Sequence, residues 1–211
     1  MHMADALLSP AVGAAMCAVS IGALAHSTAQ IKKDDLCEKK IPVMAVAGAF
    51  VFAAQMINFT IPATGSSGHI GGGILLAALL GGFPALLPIA AVLIIQCLFF
   101  ADGGLLALGC NIFNMGVIPC LIVYPLIFRP IVRKGMTSRN IAVASIVSVV
   151  VSLQLGAFCV VLETLLSGIT ELPFSRFALM MMPIHLAIGL VEGIVTAAIL
   201  GFVHSMRPEI L

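Results

Sequence analysis

The sequence predicts an all-α integral membrane protein with about seven transmembrane helices and its N-terminus outside the cell. Three observations carry this. Of 211 residues, 61% are hydrophobic and only 9% are charged, where a soluble domain carries roughly 25% charged residues to wet its surface. The apolar residues gather into long runs with short polar connectors, and most runs approach the ~20 residues that cross a bilayer. Nine of the ten Lys and Arg residues fall in odd-numbered connectors or the C-terminal tail: Lys32, Lys33, Lys39, Lys40, Arg129, Arg133, Lys134, Arg139 and Arg207. Only Arg176 falls on the other side, and such a bias marks the cytoplasmic face.

The elements follow in order. The first run, 9–31, stops at the charged connector Lys32-Lys33-Asp34-Asp35-Leu36-Cys37-Glu38-Lys39-Lys40. No Lys or Arg precedes it and it exceeds the apolar core of a secretory signal, so it reads as a retained helix. The second, 41–60, stops at Ile61-Pro62-Ala63-Thr64-Gly65-Ser66-Ser67-Gly68. Small residues recur every fourth position in both, as Ala14, Ala18 and Gly22 and as Ala45, Ala49 and Ala53. Such stripes let helices approach closely in lipid, within one chain or against another subunit. The third run, 70–81, is too short to span as an ordinary helix, and reads as a half-helix or as part of a re-entrant hairpin with the fourth. Gly81-Gly82-Phe83-Pro84 turns the chain into the fourth run, 84–100, which ends at Ala101-Asp102-Gly103-Gly104. The fifth, 111–128, precedes the basic stretch Arg129 to Arg139. The sixth, 141–166, leads through Ser167 to Phe177 into the seventh, 178–204. No low-complexity tract or internal repeat interrupts this pattern, so 1–211 reads as a single domain.

Composition also excludes functions. The spans leave no room for a nucleotide-hydrolysing domain, and no G-x-x-x-x-G-K-[ST] loop is present. A net charge of +1 argues against a nucleic-acid partner. The six cysteines form no C-x-x-C pair, and five lie in or beside apolar runs, where Cys acts as a small buried hydrophobe. Met180, Met181 and Met182 are consecutive on a helix, so they point in different directions and cannot converge on one copper ion.

Two outer-side histidines carry chemistry. The Met1 α-amine, the Met1–His2 amide nitrogen once deprotonated, and His2 Nδ1 close a five-membered and a six-membered chelate ring. Three nitrogens in a plane leave one in-plane position, which His69 of the glycine-rich loop Gly65–Gly73 can fill. Planar nitrogen ligation points to Ni(II) or Cu(II) rather than tetrahedral zinc, and binding releases protons. On sequence chemistry alone, the plainer reading is that a histidine at position 2 is an accident of the start site.

The opening Met1-His2-Met3-Ala4-Asp5-Ala6-Leu7-Leu8-Ser9-Pro10 resembles the start of the cobalt/nickel substrate-binding membrane subunits of the CbiM/NikM type, within the energy-coupling-factor ABC importers. Further matches are Ser66-Ser67-Gly68-His69, Cys110-Asn111-Ile112-Phe113-Asn114-Met115-Gly116, and the stretch from Pro183 to Gly193. The resemblance runs nearly end to end and is closer to the nickel subgroup. It implies a six-helix S-component core behind one extra N-terminal helix, and Ni²⁺ (or Co²⁺) held by Met1, His2 and His69 as transported substrate. Implied partners are a transmembrane coupling subunit, two cytoplasmic ATPases and a small accessory membrane subunit, in the cell membrane of a prokaryote. The Ala45, Ala49 and Ala53 face resembles the contact with the coupling subunit. The chain itself is no enzyme on this reading.

The remaining polar residues have supporting readings. His185 and Glu192 are seven apart and share a face of the last helix; His185 orients the loop or bonds between helices. Ser67, Asn111 and Asn114 support the loop, Asp5 holds the N-terminal segment, and Gln55 and Asn58 join the outer cluster. His26 and His204 lie near the cytoplasmic ends. Two rivals remain: a stand-alone permease driven through Glu192, and a structural or assembly subunit in which His2 is incidental.

Overall fold

A computed structural model describes residues 1–33, 37–62, 64–170 and 172–208, leaving the side chains of 37–40 undescribed. Among the described residues seven helices form one bundle. Helix α1 (Pro10–Ile31) starts where Ser9 Oγ accepts from Val12 N–H at 3.4 Å, with Pro10 in the first turn, a position that needs no N–H partner. Helix α2 spans Cys37–Gln55, α3 Gly73–Leu80 and α4 Gly82–Phe100. Helix α5 runs Leu108–Val132. Helix α6 (Ser138–Ser167) starts at Thr137, whose hydroxyl accepts from Asn140 N–H, and stops at Gly168 with φ 65°. Helix α7 spans Phe174–Met206.

Five helices, α1 and α4 to α7, are long and apolar enough to cross a membrane, and 41–55 of α2 form a shorter apolar helix. Their outward faces stay greasy: Val46, Leu126 and Leu179 are each at least 70% exposed. Lipid accepts such a surface and water does not.

The third run behaves as its length predicts. Its helical part is the eight residues of α3, about 12 Å long, against a hydrocarbon core of ~30 Å. Seven of those residues are buried, so α3 sits inside the bundle, where non-helical backbone before it is tolerated. Gly81, at φ 90°, is the single residue that breaks α3 from α4.

The second and fifth runs differ most from their sequence boundaries. The second stops being helical at Gln55, and its tail forms β1 (Phe59–Ile61), antiparallel to β2 (Ser66–Gly68), with Phe59 opposite Gly68. The fifth is longer than its apolar core, and Phe113–Phe128 are wound in the wider i→i+5 pattern with Pro119 and Pro125 inside. Each proline removes an N–H and crowds the preceding turn, which a wider winding relieves.

Helices α6 and α7 make the closest pairing. Gly189 and Gly193 present bare backbone to α6: a Cβ on Gly193 would lie 2.8 Å from Ile146 Cα. The buried stripe of α7 is Phe177, Met181, His185, Gly189, Glu192, Gly193, Thr196 and Leu200, so His185 and Glu192 do share one face. Helix α1 docks on the start of α5, where Ser20 Oγ donates to Gly109 O at 2.6 Å. Cys110 and Cys120 are buried, Cys97 and Cys159 half-buried and Cys17 exposed, all as free thiols; Cys37 lies among the undescribed side chains.

The first three residues are folded into the bundle, while Ala4, Asp5 and Ala6 are exposed. Met1, His2 and Met3 are 1%, 3% and 0% exposed. Met3 forms an antiparallel bridge with Ser66, so the N-terminal strand extends the small sheet and its backbone polar groups find partners at depth.

Candidate metal centre

The N-terminal strand is positioned by backbone and amide bonds along its length. Ser67 N–H donates to His2 O at 3.2 Å, Ala4 N–H to Gly65 O, and Gly104 N–H to Met3 O at 2.9 Å. Asn111, at the start of α5, accepts from Met3 N–H at 2.9 Å and donates to Met3 O at 3.4 Å. Asp5 accepts from Leu105 N–H and Ala107 N–H at 3.1 and 3.0 Å, which ties the segment to the loop before α5. The Met1 amine donates to Ser67 O in a short hydrogen bond.

This brings nitrogen groups of the N-terminal strand and of the glycine-rich loop side by side. The His2 and His69 rings stack with centroids 4.4 Å apart and an interplanar angle of 22°. Each ring has one nitrogen committed. His69 Nδ1 lies 2.8 Å from Ile70 O, and since a carbonyl only accepts, Nδ1 carries the proton and Nε2 keeps its lone pair. His69 Nε2 is buried without a hydrogen-bond partner. His2 Nε2 lies 3.1 Å from Gln96 Oε1, an acceptor that can hold the ring proton on Nε2 when a metal takes Nδ1. That is the nitrogen a chelate through the His2 amide requires, and a partner on the far ring nitrogen is how ligating histidines are oriented. His2 Nδ1 also lies 3.1 Å from Asp102 Oδ1.

Electrostatics match. Burial pushes the Met1 amine down to about 4. Burial also lowers the His2 imidazole, and it lowers that of His69 well below the usual range, with the Met1 amine and His2 adding to the effect. Burial pushes the Asp102 carboxyl up, but its contacts with His2, the Met1 amine and Asn58 outweigh that and hold it below the usual range. At neutral pH the candidate donors are therefore uncharged and Asp102 is a carboxylate. Among the described residues no three His, Cys, Asp or Glu side chains are grouped to hold a metal. Beside the two imidazoles, the Met1 amine and the neighbouring backbone are the further nitrogen groups at hand.

The other expected residues are placed as follows. Ser67 contributes its backbone. Asn114 turns away from the rings and donates to Glu163 Oε2 at 2.8 Å. His185 is buried and spends Nδ1 on Met181 O of its own helix at 2.8 Å. Glu192 accepts from Gly71 N–H and Gly72 N–H at 2.7 and 2.8 Å, capping the start of α3 and gripping the loop that carries His69. Gln55 donates to Gly71 O at 2.7 Å. Ala45, Ala49 and Ala53 are exposed on α2, and Ala45 and Ala49 line an apolar groove between α2 and α4.

Sequence reasoning missed Gln96 and Asp102. The signal for Gln96 was present: it is the one amide in an otherwise apolar run, 84–100. Asp102 is the one acid in a connector otherwise built of small residues, Ala101-Asp102-Gly103-Gly104.

Comparison with known proteins matches this architecture to metal carriers. A family model described as the cobalt uptake substrate-specific transmembrane region matches residues 2–210. A putative fused nickel transport protein of Archaeoglobus fulgidus is 32% identical over all of this chain and 68% of its own length. A cobalt transport protein of Sorangium cellulosum is 33% identical over 81% of this chain and 76% of its own. The crystal structure of a truncated transition metal transporter superposes with a TM-score of 0.87 at 29% identity, covering 97% of this chain and 99% of that one.

Proposed function

We propose a function from one premise: the chain belongs to the CbiM family of cobalt-uptake substrate-specific transmembrane proteins. It is a cobalt/nickel-uptake membrane component, and on our reading its cargo is extracytoplasmic Ni²⁺. The ion sits in a plane of four nitrogens: the Met1 amine, the His2 amide nitrogen, His2 Nδ1 and His69 Nε2. Binding releases the His2 amide proton to water. Nickel is favoured over cobalt because a planar nitrogen set suits d⁸ Ni(II). Residues 1–211 act as one domain with the N-terminus outside and the C-terminus in the cytoplasm.

The chain carries no ATPase motif, so release inward is driven by partners. These are a transmembrane coupling subunit docked on the Ala45, Ala49 and Ala53 face, two ATPases, and a small accessory membrane subunit. The exposure of that face and the relatives named as fused transport proteins support a partnered subunit. Glu192 is occupied by two backbone N–H groups, which weakens the reading of it as the ion-coupled acid of a stand-alone permease.

The observation that carries the reading is the juxtaposition of the buried Met1 amine with two stacked imidazoles, each keeping one lone-pair nitrogen. Adding one residue before Met1 converts the amine to an amide and displaces the terminus. Nickel titration of purified protein should then lose tight binding. Tight binding by the extended chain would overturn the amine-ligand assignment.

A further inference from the structure

The buried donors raise a question of access and of charge. Met1, His2 and His69 are nearly closed to solvent, yet a hydrated divalent cation must reach them. Asp102 is the acid beside them that still meets solvent: its side chain is 15% exposed against 2% for that of His2. Its Oδ1 lies 3.1 Å from His2 Nδ1, the nitrogen assigned to the metal. Its Oδ2 accepts from the exposed Asn58 Nδ2 at 2.6 Å.

Asp102 is also built into place. Gln96 O accepts from Asp102 N–H at 3.1 Å, while Gln96 Oε1 takes the far nitrogen of His2. One residue thus docks both groups. The chain enters this loop through Ala101 at φ 53°, the non-glycine residue with positive φ among those described, and passes Gly103 at φ 86°. A side chain on Gly103 would press on Asn111 Nδ2 at 2.9 Å and on His2 Cδ2 at 3.4 Å. The loop therefore lies directly over the His2 ring, in a backbone conformation that persists only when its surroundings fix it.

Charge arithmetic gives the role. A divalent ion on one deprotonated amide and three neutral nitrogens keeps one positive charge, and burying an unpaired charge is costly. One carboxylate cancels it. We propose that Asp102 is the docking carboxylate of the metal centre: it draws a divalent cation to the mouth, passes it to His2 Nδ1, and remains beside it as the counter-charge. This rests on the nitrogen centre proposed above.

The test is rapid mixing of the purified full-length protein with Ni²⁺ alone, at low and high salt, with wild type, Asp102→Asn, Asp102→Glu and His69→Ala. Asp102→Asn keeps the shape and removes the charge. Its association rate constant should fall about tenfold at low salt, with a flattened salt dependence, because steering by a fixed charge is ionic-strength dependent. Asp102→Glu should restore both the rate and the salt dependence, which a merely structural role would not require. If His69→Ala weakens binding while Asp102→Asn associates at the wild-type rate with wild-type salt dependence, the assignment of Asp102 is overturned and the nitrogen centre stands. If His69→Ala binds as wild type does, the nitrogen centre itself fails, and Asp102 with it.

Discussion

At Met1, burial decides how metal binding depends on pH. The amine falls from an ordinary value of 8.0 to about 4. Between those values the undocked terminus holds a proton that the docked one does not, so docking strengthens as pH rises from 4 to 8. Below pH 4 both forms are charged and that advantage is gone. Near neutrality the docked amine is already uncharged, and burial lowers both imidazoles as well. Nickel should therefore displace about one proton, from the His2 amide, and affinity should rise about tenfold per pH unit between pH 6 and 8. Calorimetry in buffers of different ionisation enthalpy counts that proton; a count of about two would show that the amine is still charged when docked. His69→Ala should weaken binding without abolishing it, because the Met1–His2 chelate rings survive; unchanged affinity would remove His69 from the donor set. The proposed chelate can be named from the sequence because its rings are closed by covalent neighbours. Gln96 and Asp102 cannot, because they lie on α4 and in the loop after it and reach His2 only once the chain has folded.

Among the elements, the broken helix α3 controls the loop that bears His69. Glu192 holds the N–H groups of Gly71 and Gly72 just before it, and carboxylates favour helix N-termini. Glu192→Gln turns one acceptor into a donor facing an N–H. Metal affinity should fall by about 10–100-fold, the usual effect of a group that orients a ligand, with faster hydrogen exchange at 69–73. Wild-type affinity and exchange would leave Glu192 as packing alone. Gly72 sits at φ 76° before α3, and a Cβ there would lie 2.6 Å from Val51 Cγ1. Gly72→Ala should cost at least about 1–2 kcal/mol from the left-handed backbone alone, read as a lowered thermal midpoint; an unchanged midpoint would contradict the strain. The long helices were readable because run length and bilayer thickness constrain each other, and the shortness of the third run was readable for the same reason. The hairpin of β1 and β2 was not. It forms because the backbone around Ser66 must pair at depth with the N-terminal strand, and residue patterning at 56–68 carries no alternation that announces it.

At the scale of the whole molecule, our proposal has the chain select the ion and other subunits move it. With the C-terminus inside, as we propose from the clustered basic residues, a C-terminal protease site in intact cells or right-side-out vesicles should be cut only after permeabilisation. Cleavage from outside would invert the topology and put the centre on the wrong face. Ala49 lies exposed in the groove between α2 and α4. Ala49→Trp should leave nickel binding by the purified protein intact while reducing uptake by the assembled complex, as expected when close helix approach needs small residues. Full uptake by that variant would move the docking face elsewhere.

The central claim is the planar nitrogen centre at Met1, His2 and His69, and the optical and magnetic spectrum of the nickel-loaded protein tests it most directly. A yellow, diamagnetic species is the predicted result, since d⁸ nickel in a plane of four nitrogens is low-spin. A paramagnetic, octahedral spectrum would contradict it.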